Sequence, residues 1–156
     1  MEFNADIFKL FDEEWALITA GDKDSYNTMT ASWGGLGTLW SKPVATVYVK
    51  PVRYTHEFMD SNDYFTVSFY TGEYKKTLAL LGTLSGRDGD KVAQAGLTPK
   101  FLEKAVTFEE ARATLLCKKI YRHDLVLAEI PEEAIQKYYT QEAPHTVYIG
   151  EVVDIL

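Results

Sequence analysis

The chain contains 156 residues, of which 46% are hydrophobic and 25% are charged, and this size and composition predict one globular domain over residues 1–156. The formal net charge is −7 and no long stripe of Lys and Arg offsets it, so nucleic acid is a poor candidate partner and we predict none. A bound anion would have to be held by a few local cations and backbone N–H groups.

The first half of the chain is rich in strand signals. An apolar run at 15–20 is followed by turn-forming residues at 21–25 and an extended segment at 26–33, which predicts a hairpin. Segment 44–49 is rich in β-branched residues, and segment 64–70 alternates with Phe65, Val67 and Phe69 on one face. Both are therefore predicted strands.

The remaining predicted elements are short helices at 55–62, 73–81, 90–95 and 132–138, and strands at 108–121 and 146–155. Strands follow one another with helices inserted, which is not the regular alternation of a parallel α/β sheet. We therefore predict a mainly β protein, an antiparallel barrel with short inserted helices, whose polar mouths between strands and helices are the places for a ligand.

The cysteine content and the hydrophobic runs give an expectation for the cellular location of the protein. Cys117 is the single cysteine, in an apolar strand-like context, so no internal disulfide forms and a core position is expected. No basic-then-apolar segment opens the chain, and no apolar run is long enough to cross a bilayer. We expect a cytoplasmic protein without a membrane partner.

Common catalytic and metal-binding motifs are absent. The three histidines, at 56, 123 and 145, have no ligand spacing, so we predict no metal site, and no residue is assigned as a catalytic nucleophile. The glycines at 34, 35 and 37 do not open a helix, which disfavours a dinucleotide-binding fold. They are interpreted as a loop, or as backbone that approaches a ligand closely.

Two short segments have anion-binding chemistry. Ser85, Gly86 and Arg87 follow a helix stop and could present a hydroxyl, free N–H groups and a guanidinium. Arg53 stands beside a helix that starts near Thr55. The positive amino end of that helix would attract an anion, as would the Arg53 guanidinium. The alternative is that Ser85 only caps a helix and Arg87 only forms a surface ion pair. Two such segments in one acidic chain favour a phosphorylated ligand.

These segments, in combination, resemble a known family. The run 27–37, the triplet 53–55, the loop 85–91 and the segment 145–152 are together similar to the FMN-binding split-barrel proteins of the flavin reductase and flavoredoxin group. The resemblance covers about residues 15–155. It implies a split β-barrel, non-covalently bound FMN and a homodimer.

The resemblance also implies roles for individual residues. Backbone of residues 29–32 would contact the flavin ring with Trp33 packed nearby, while Arg53, Thr55, Ser85 and Arg87 would hold the phosphate and ribityl chain. The full set of implied cofactor-binding residues is Thr28, Met29, Thr30, Ala31, Ser32, Trp33, Lys50, Arg53, Thr55, Ser85, Gly86, Arg87 and Lys91.

The implied activity is an NAD(P)H-dependent flavin reductase, in which reduced nicotinamide passes a hydride to FMN. Such chemistry needs no protein nucleophile, because the flavin accepts the electrons. Two alternatives stay open at this point. The chain could be a flavoredoxin-like electron-transfer protein that keeps its FMN, or a split-barrel binder of another cofactor, such as a tetrapyrrole or pyridoxal phosphate, without enzyme activity.

Overall fold

The computed structural model describes residues 2–156, and its main feature is antiparallel β structure. The strands in this part of the chain are β1 (Ala16–Gly21), β2 (Tyr26–Ala31), β3 (Gly34–Leu39), β4 (Lys42–Val49), β5 (Tyr64–Phe69), β6 (Pro99–Phe101), β7 (Val106–Phe108), β8 (Ala113–Asp124) and β9 (Thr146–Ile155). Seven of them form one sheet in the order β2-β1-β5-β8-β9-β4-β3, and β6 pairs with β7. The sheet therefore ends at β2 on one side and at β3 on the other.

Short helices are inserted between the strands. They are α1 (Ile7–Lys9), α2 (Tyr54–Ser61), α3 (Lys75–Thr83), α4 (Lys91–Ala95) and α5 (Glu132–Tyr138), with a π-helical turn at Leu10–Glu14 and 3₁₀ turns at Gly72–Tyr74, Gly86–Asp88 and Leu127–Glu129. Helices α2 to α5 confirm the four predicted ones to within a few residues. No helix within residues 2–156 combines the length and the apolar character needed to span a bilayer.

The glycine run corrects one prediction, because it forms a strand and not a loop. Strand β3 pairs with β4 throughout, from Gly34 opposite Val47 to Leu39 opposite Lys42. The two strands are joined through Trp40 and Ser41, which have φ values of 52° and 60°, the left-handed conformation that suits a tight hairpin turn. Glycine residues are unfavourable in strands, so the sequence alone could not reveal the pairing of β3 with β4.

The same strand explains why a glycine is needed at position 34. A Cβ atom there would lie 2.6 Å from the Phe11 ring and 3.0 Å from the carbonyl oxygen of Thr46. The buried Phe11 ring packs edge-to-face on Phe69, with ring centroids 5.6 Å apart. The π-helical turn can therefore cover the sheet only where the strand lacks a side chain.

The predicted strand at 108–121 is a second correction, since it is divided between β7 and β8. The chain turns at residues 109–112, where Ala111 N donates to the carbonyl of Phe108 at 3.1 Å. In β5, Phe65, Val67 and Phe69 all belong to the main buried cluster, as the alternation predicts. Cys117 lies in the same cluster and is fully buried, which confirms its core position.

Helix α2 is attached to the sheet by polar contacts at its carboxyl end. Lys119 Nζ donates to the carbonyls of Met59 (2.6 Å) and Asp60 (3.3 Å). Asp60 in turn accepts hydrogen bonds from Arg122 Nε (2.8 Å) and from the hydroxyl of Tyr148 (2.6 Å). These contacts fix the helix on β8 and β9, and so set the position of its amino end.

Candidate functional site

Two clefts meet at the amino end of α2. The first, of about 370 Å³, lies along the end of β2 and is called the β2 cleft. The second, of about 190 Å³, lies between α2 and the segment after α3 and is called the loop cleft. Val52 and Arg53 line both clefts, so the two spaces adjoin at this point.

The wall of the β2 cleft is backbone of an edge strand. Strand β2 pairs with β1 on one side and is the last strand of the sheet on the other. In an antiparallel edge strand, every second residue directs its N–H and C=O away from the partner strand. Met29 and Ala31 bury their side chains in the core, while Thr30 Oγ1 donates to the carbonyl of Leu78 on α3 at 2.5 Å. The strand therefore offers unpaired polar backbone to a flat ligand.

Aromatic and charged side chains also line the β2 cleft, among them Trp33, Lys50 and Glu142. Lys50 Nζ donates to the carbonyl of Tyr138 at 3.2 Å and lies 3.7 Å from Glu142. Trp33 is 43% exposed and packs edge-to-face on Tyr138, with ring centroids 5.1 Å apart. Lys50 therefore already has partners within the protein, in Tyr138 and Glu142. The Trp33 side chain remains partly exposed to solvent.

His145 lines this cleft as an uncharged side chain. Burial, reinforced by the charge of Lys50, lowers the pKa of His145 to about 4. Its Nδ1 lies 2.7 Å from the hydroxyl of Tyr139, so one ring nitrogen is held by the protein. At neutral pH His145 therefore contributes polarity to the cleft without a positive charge.

Arg53 is the cation at the junction of the clefts. It is half-buried, and burial lowers its pKa, although not enough to deprotonate a guanidinium. Its side chain makes no hydrogen bond and no ion pair at contact distance with any residue in 2–156, although the charge of Glu142, which lines the same cleft, acts on it. Arg53 immediately precedes α2, whose first N–H groups, at Tyr54 and Thr55, have no partner within the helix. The positive end of the helix and a free guanidinium thus lie side by side.

Ser85 and Gly86, from the loop 85–88, also line the loop cleft. Ser85 caps the 3₁₀ turn, since its Oγ accepts from Arg87 N at 3.2 Å. Gly86 packs so closely that a Cβ atom would lie 2.0 Å from Asn27 Oδ1. Asn27 Nδ2 donates to the hydroxyl of the buried Thr55 at 2.8 Å. The loop, β2 and α2 are therefore locked together around the loop cleft.

Lys91 adds a second cation to the loop cleft. It is only 4% exposed, and its Nζ donates to the carbonyls of Leu81 (3.2 Å) and Leu84 (3.1 Å). Burial, together with the charge of Arg53, lowers the pKa of Lys91 to about 8. An ammonium has three donors, so one remains for a ligand.

Most of the residues that the sequence singled out come together here. The β2 cleft is lined by Met29, Thr30, Ala31, Ser32, Trp33, Lys50 and Arg53, and the loop cleft by Arg53, Thr55, Ser85, Gly86 and Lys91.

Two of the implied site residues lie elsewhere. Thr28 is fully buried, and its hydroxyl is 2.8 Å from that of Thr19. Arg87 lies on the exposed rim, where it pairs with Glu57 at 3.0 Å.

Other lining residues escaped the sequence analysis. Asn27, Tyr48 and Glu142 also line the clefts. Tyr48 and Glu142 belong to no motif, and Glu142 is far along the chain from the rest. Asn27 opens the run 27–37, but the set of implied cofactor-binding residues begins at Thr28. No group of His, Cys, Asp and Glu within residues 2–156 is arranged to hold a metal ion.

Comparisons with solved structures give the fold a context. The chain superposes over its whole length on flavoredoxin from Methanosarcina acetivorans, covering 74% of it, with a TM-score of 0.72 and 21% identity. Flavoredoxin of Desulfovibrio vulgaris (Miyazaki F) gives a TM-score of 0.72 at 26% identity, with coverage of 100% and 76% of the two chains. An NADH:FAD oxidoreductase from Streptomyces globisporus gives 0.70 at 18% identity, with coverage of 92% and 74%.

These likenesses confirm the predicted mainly antiparallel split barrel with short inserted helices. A search of curated proteins finds no match. The model of the flavin reductase like domain, by contrast, matches residues 8–156, which is nearly the whole chain. The chain therefore belongs to the flavin reductase like domain family.

Proposed function

We propose that the protein binds FMN without a covalent bond and acts as an NAD(P)H-dependent flavin reductase. The observation that carries the proposal is Arg53, a half-buried guanidinium between two clefts with no carboxylate at ion-pair distance in the described chain. Charges removed from water are normally paired, so this geometry favours an anionic ligand that extends into both clefts.

The residues fit the two ends of FMN. The loop cleft offers the Arg53 guanidinium, the N–H groups of Tyr54 and Thr55, the Ser85 hydroxyl and the Lys91 ammonium. This set of donors suits a phosphate dianion. The β2 cleft offers backbone groups of residues 29–32 for the polar edge of a planar ring, and its volume of about 370 Å³ lies in the range of small-molecule sites.

The chemistry would come from the cofactor, because bound FMN can accept a hydride from reduced nicotinamide. The protein would bind and orient the ring, and N–H groups of the β2 edge would stabilise negative charge that develops on it. His145, neutral at pH 7, can donate or accept a hydrogen bond in the cleft. Because the flavin would accept the electrons and the protein would only bind and orient it, no nucleophilic side chain is needed in the site.

A flavoredoxin-like electron carrier is the second candidate. It is favoured by the 26% identity to the flavoredoxin of Desulfovibrio vulgaris (Miyazaki F). Such a protein would keep FMN bound and take electrons from another protein. The homodimer, the cytoplasmic location and the use of NAD(P)H as co-substrate stay predictions.

Titration of the purified protein with FMN tests the proposal, followed by addition of NADH or NADPH. We expect a bound flavin spectrum and steady oxidation of the nicotinamide. A bound flavin that dithionite reduces, without any NAD(P)H oxidation, would support the electron carrier. A colourless protein that gains no flavin band would contradict both and favour a split-barrel binder of another cofactor.

A further inference from the structure

The Arg87 side chain contacts the segment that carries Arg53. Its Nη1 donates to the carbonyl of Val52 at 3.1 Å, and its Nη2 to Glu57 Oε1 at 3.0 Å. The guanidinium carbon lies 4.8 Å from the centroid of the Tyr54 ring, which is cation–π distance. Three contacts from one side chain therefore reach across residues 52–57.

We infer that Arg87 is a positioning residue that fastens the loop 85–88 onto the first turn of α2. The fastening sets the separation between Ser85 and Arg53, which both line the loop cleft. As far as the ligand is concerned, this inference rests on the proposed function, because the anion held between these residues is the FMN phosphate.

The immediate neighbours of Arg87 support this role. Its backbone N–H donates to Ser85 Oγ at 3.2 Å, so movement of Arg87 would also turn the Ser85 hydroxyl. Gly86, the residue between them, packs on Asn27 and on the Tyr54 ring, where a Cβ atom would be 2.0 Å and 3.1 Å from the nearest atoms. The loop is thus fitted to α2 on one side and fastened by Arg87 on the other.

The position of the Arg87 guanidinium argues against direct contact with the phosphate. Arg87 lines neither the loop cleft nor the β2 cleft, and Glu57 already balances its charge. Turning toward the phosphate would break the ion pair with Glu57 and the hydrogen bond to Val52. The side chains of the pair are 43% and 61% exposed, so the fastening is weak and its effect on affinity should be about two- to five-fold.

The Glu57→Gln variant distinguishes positioning of the loop from direct binding of the phosphate, because the two roles predict different changes in FMN affinity. If Arg87 positions the loop through Glu57, loss of the carboxylate loosens the loop and weakens FMN binding. If Arg87 instead binds the phosphate, the same substitution removes a nearby negative charge and frees the guanidinium, so FMN binding is unchanged or tighter. The sign of the change therefore identifies the role.

A matched control is available in the pair of Arg112 and Glu14. Its atoms are 2.9 Å apart and its side chains are 41% and 40% exposed, yet neither residue lines either cleft. The Glu14→Gln variant thus breaks a similar surface ion pair at a different place. Binding is measured by titration of flavin fluorescence, and loop order by amide hydrogen exchange at Arg87 and Asp88 without ligand.

We expect Glu57→Gln to weaken FMN binding about two- to five-fold and to speed exchange at Arg87 and Asp88, while Glu14→Gln does neither. Unchanged or tighter FMN binding in Glu57→Gln would overturn the inference, as would unchanged exchange. If the unmodified protein fails to bind FMN, the proposed function is wrong, and the exchange measurement still decides whether Arg87 fastens the loop.

Discussion

Arg53 and Lys91 face the same small cleft as two like charges, and Arg53 adds to the burial that lowers the pKa of Lys91. Arg53 has no ion pair within the described chain, and Lys91 is bonded to backbone carbonyls only. Like charges held together in a partly desolvated place raise the free energy of the empty site. A bound dianion between them would replace this repulsion by attraction to both cations, so the site should favour an anionic ligand.

Removal of Arg53 should affect FMN much more than riboflavin. A charge-assisted hydrogen bond contributes about 1.5–3 kcal/mol, so Arg53→Ala should weaken FMN binding about 10-fold or more. Riboflavin lacks the phosphate and should lose much less affinity. Fluorescence titrations with both flavins measure the difference. Equal losses, or none, would place the phosphate elsewhere.

FMN binding should depend on the protonation of Lys91. The charged ammonium is the low-pH form, and its pKa in the free protein is about 8. A bound dianion stabilises the ammonium and raises that pKa, so affinity should fall as the pH rises above about 8. Riboflavin affinity should stay level over the same range. In the Lys91→Met variant, the decline should disappear, and its persistence there would assign the decline to another group.

Gly86 should tolerate no side chain. The added Cβ in Gly86→Ala would meet Asn27 Oδ1 at 2.0 Å, and the resulting shift should cost about 1–3 kcal/mol of unfolding free energy and weaken FMN binding. Gly72→Ala is the control, because a Cβ there meets nothing within 4 Å. Urea denaturation gives the free energies. Indistinguishable stabilities for the two variants would contradict the close packing of the loop.

The hydrogen bond from Tyr148 to Asp60 should stabilise the attachment of α2. Tyr148 is fully buried and its hydroxyl donates to Asp60 Oδ1 at 2.6 Å, so Tyr148→Phe should cost about 1 kcal/mol at pH 7. Tyr121→Phe is the control, since Tyr121 is 42% exposed and its hydroxyl has no partner among residues 2–156.

This contribution should also depend on pH. Burial raises the pKa of Asp60, but hydrogen bonds from Arg122 and Tyr148 outweigh it and hold the pKa below the usual value. A lowered carboxyl pKa stabilises the fold at pH values above the unfolded pKa, and that stabilisation is lost as the pH falls through the folded pKa. The difference between the wild-type protein and Tyr148→Phe should therefore shrink in acid. A constant difference would show that the carboxylate charge is not involved.

The strands and most helices could be predicted because their signals are local. Alternation in β5 and the β-branched residues of β4 specify strands whatever the rest of the chain does. Strand β3 could not be found this way, because Gly34, Gly35 and Gly37 have poor strand propensity. Packing against Phe11 and pairing with β4 overcome that propensity, and neither contact can be read from the residues of β3 themselves.

The sequence by itself determined the family, the barrel and the residue types able to hold an anion, because alternation, turn chemistry and short polar motifs act over a few neighbouring residues. Only the tertiary structure decided which of those residues meet. It placed Lys91 beside Arg53, brought His145 and Glu142 to the β2 edge, and turned Arg87 away to Glu57. The reason is that side-chain contacts depend on how strands and helices far apart in the chain pack together, which no local pattern records.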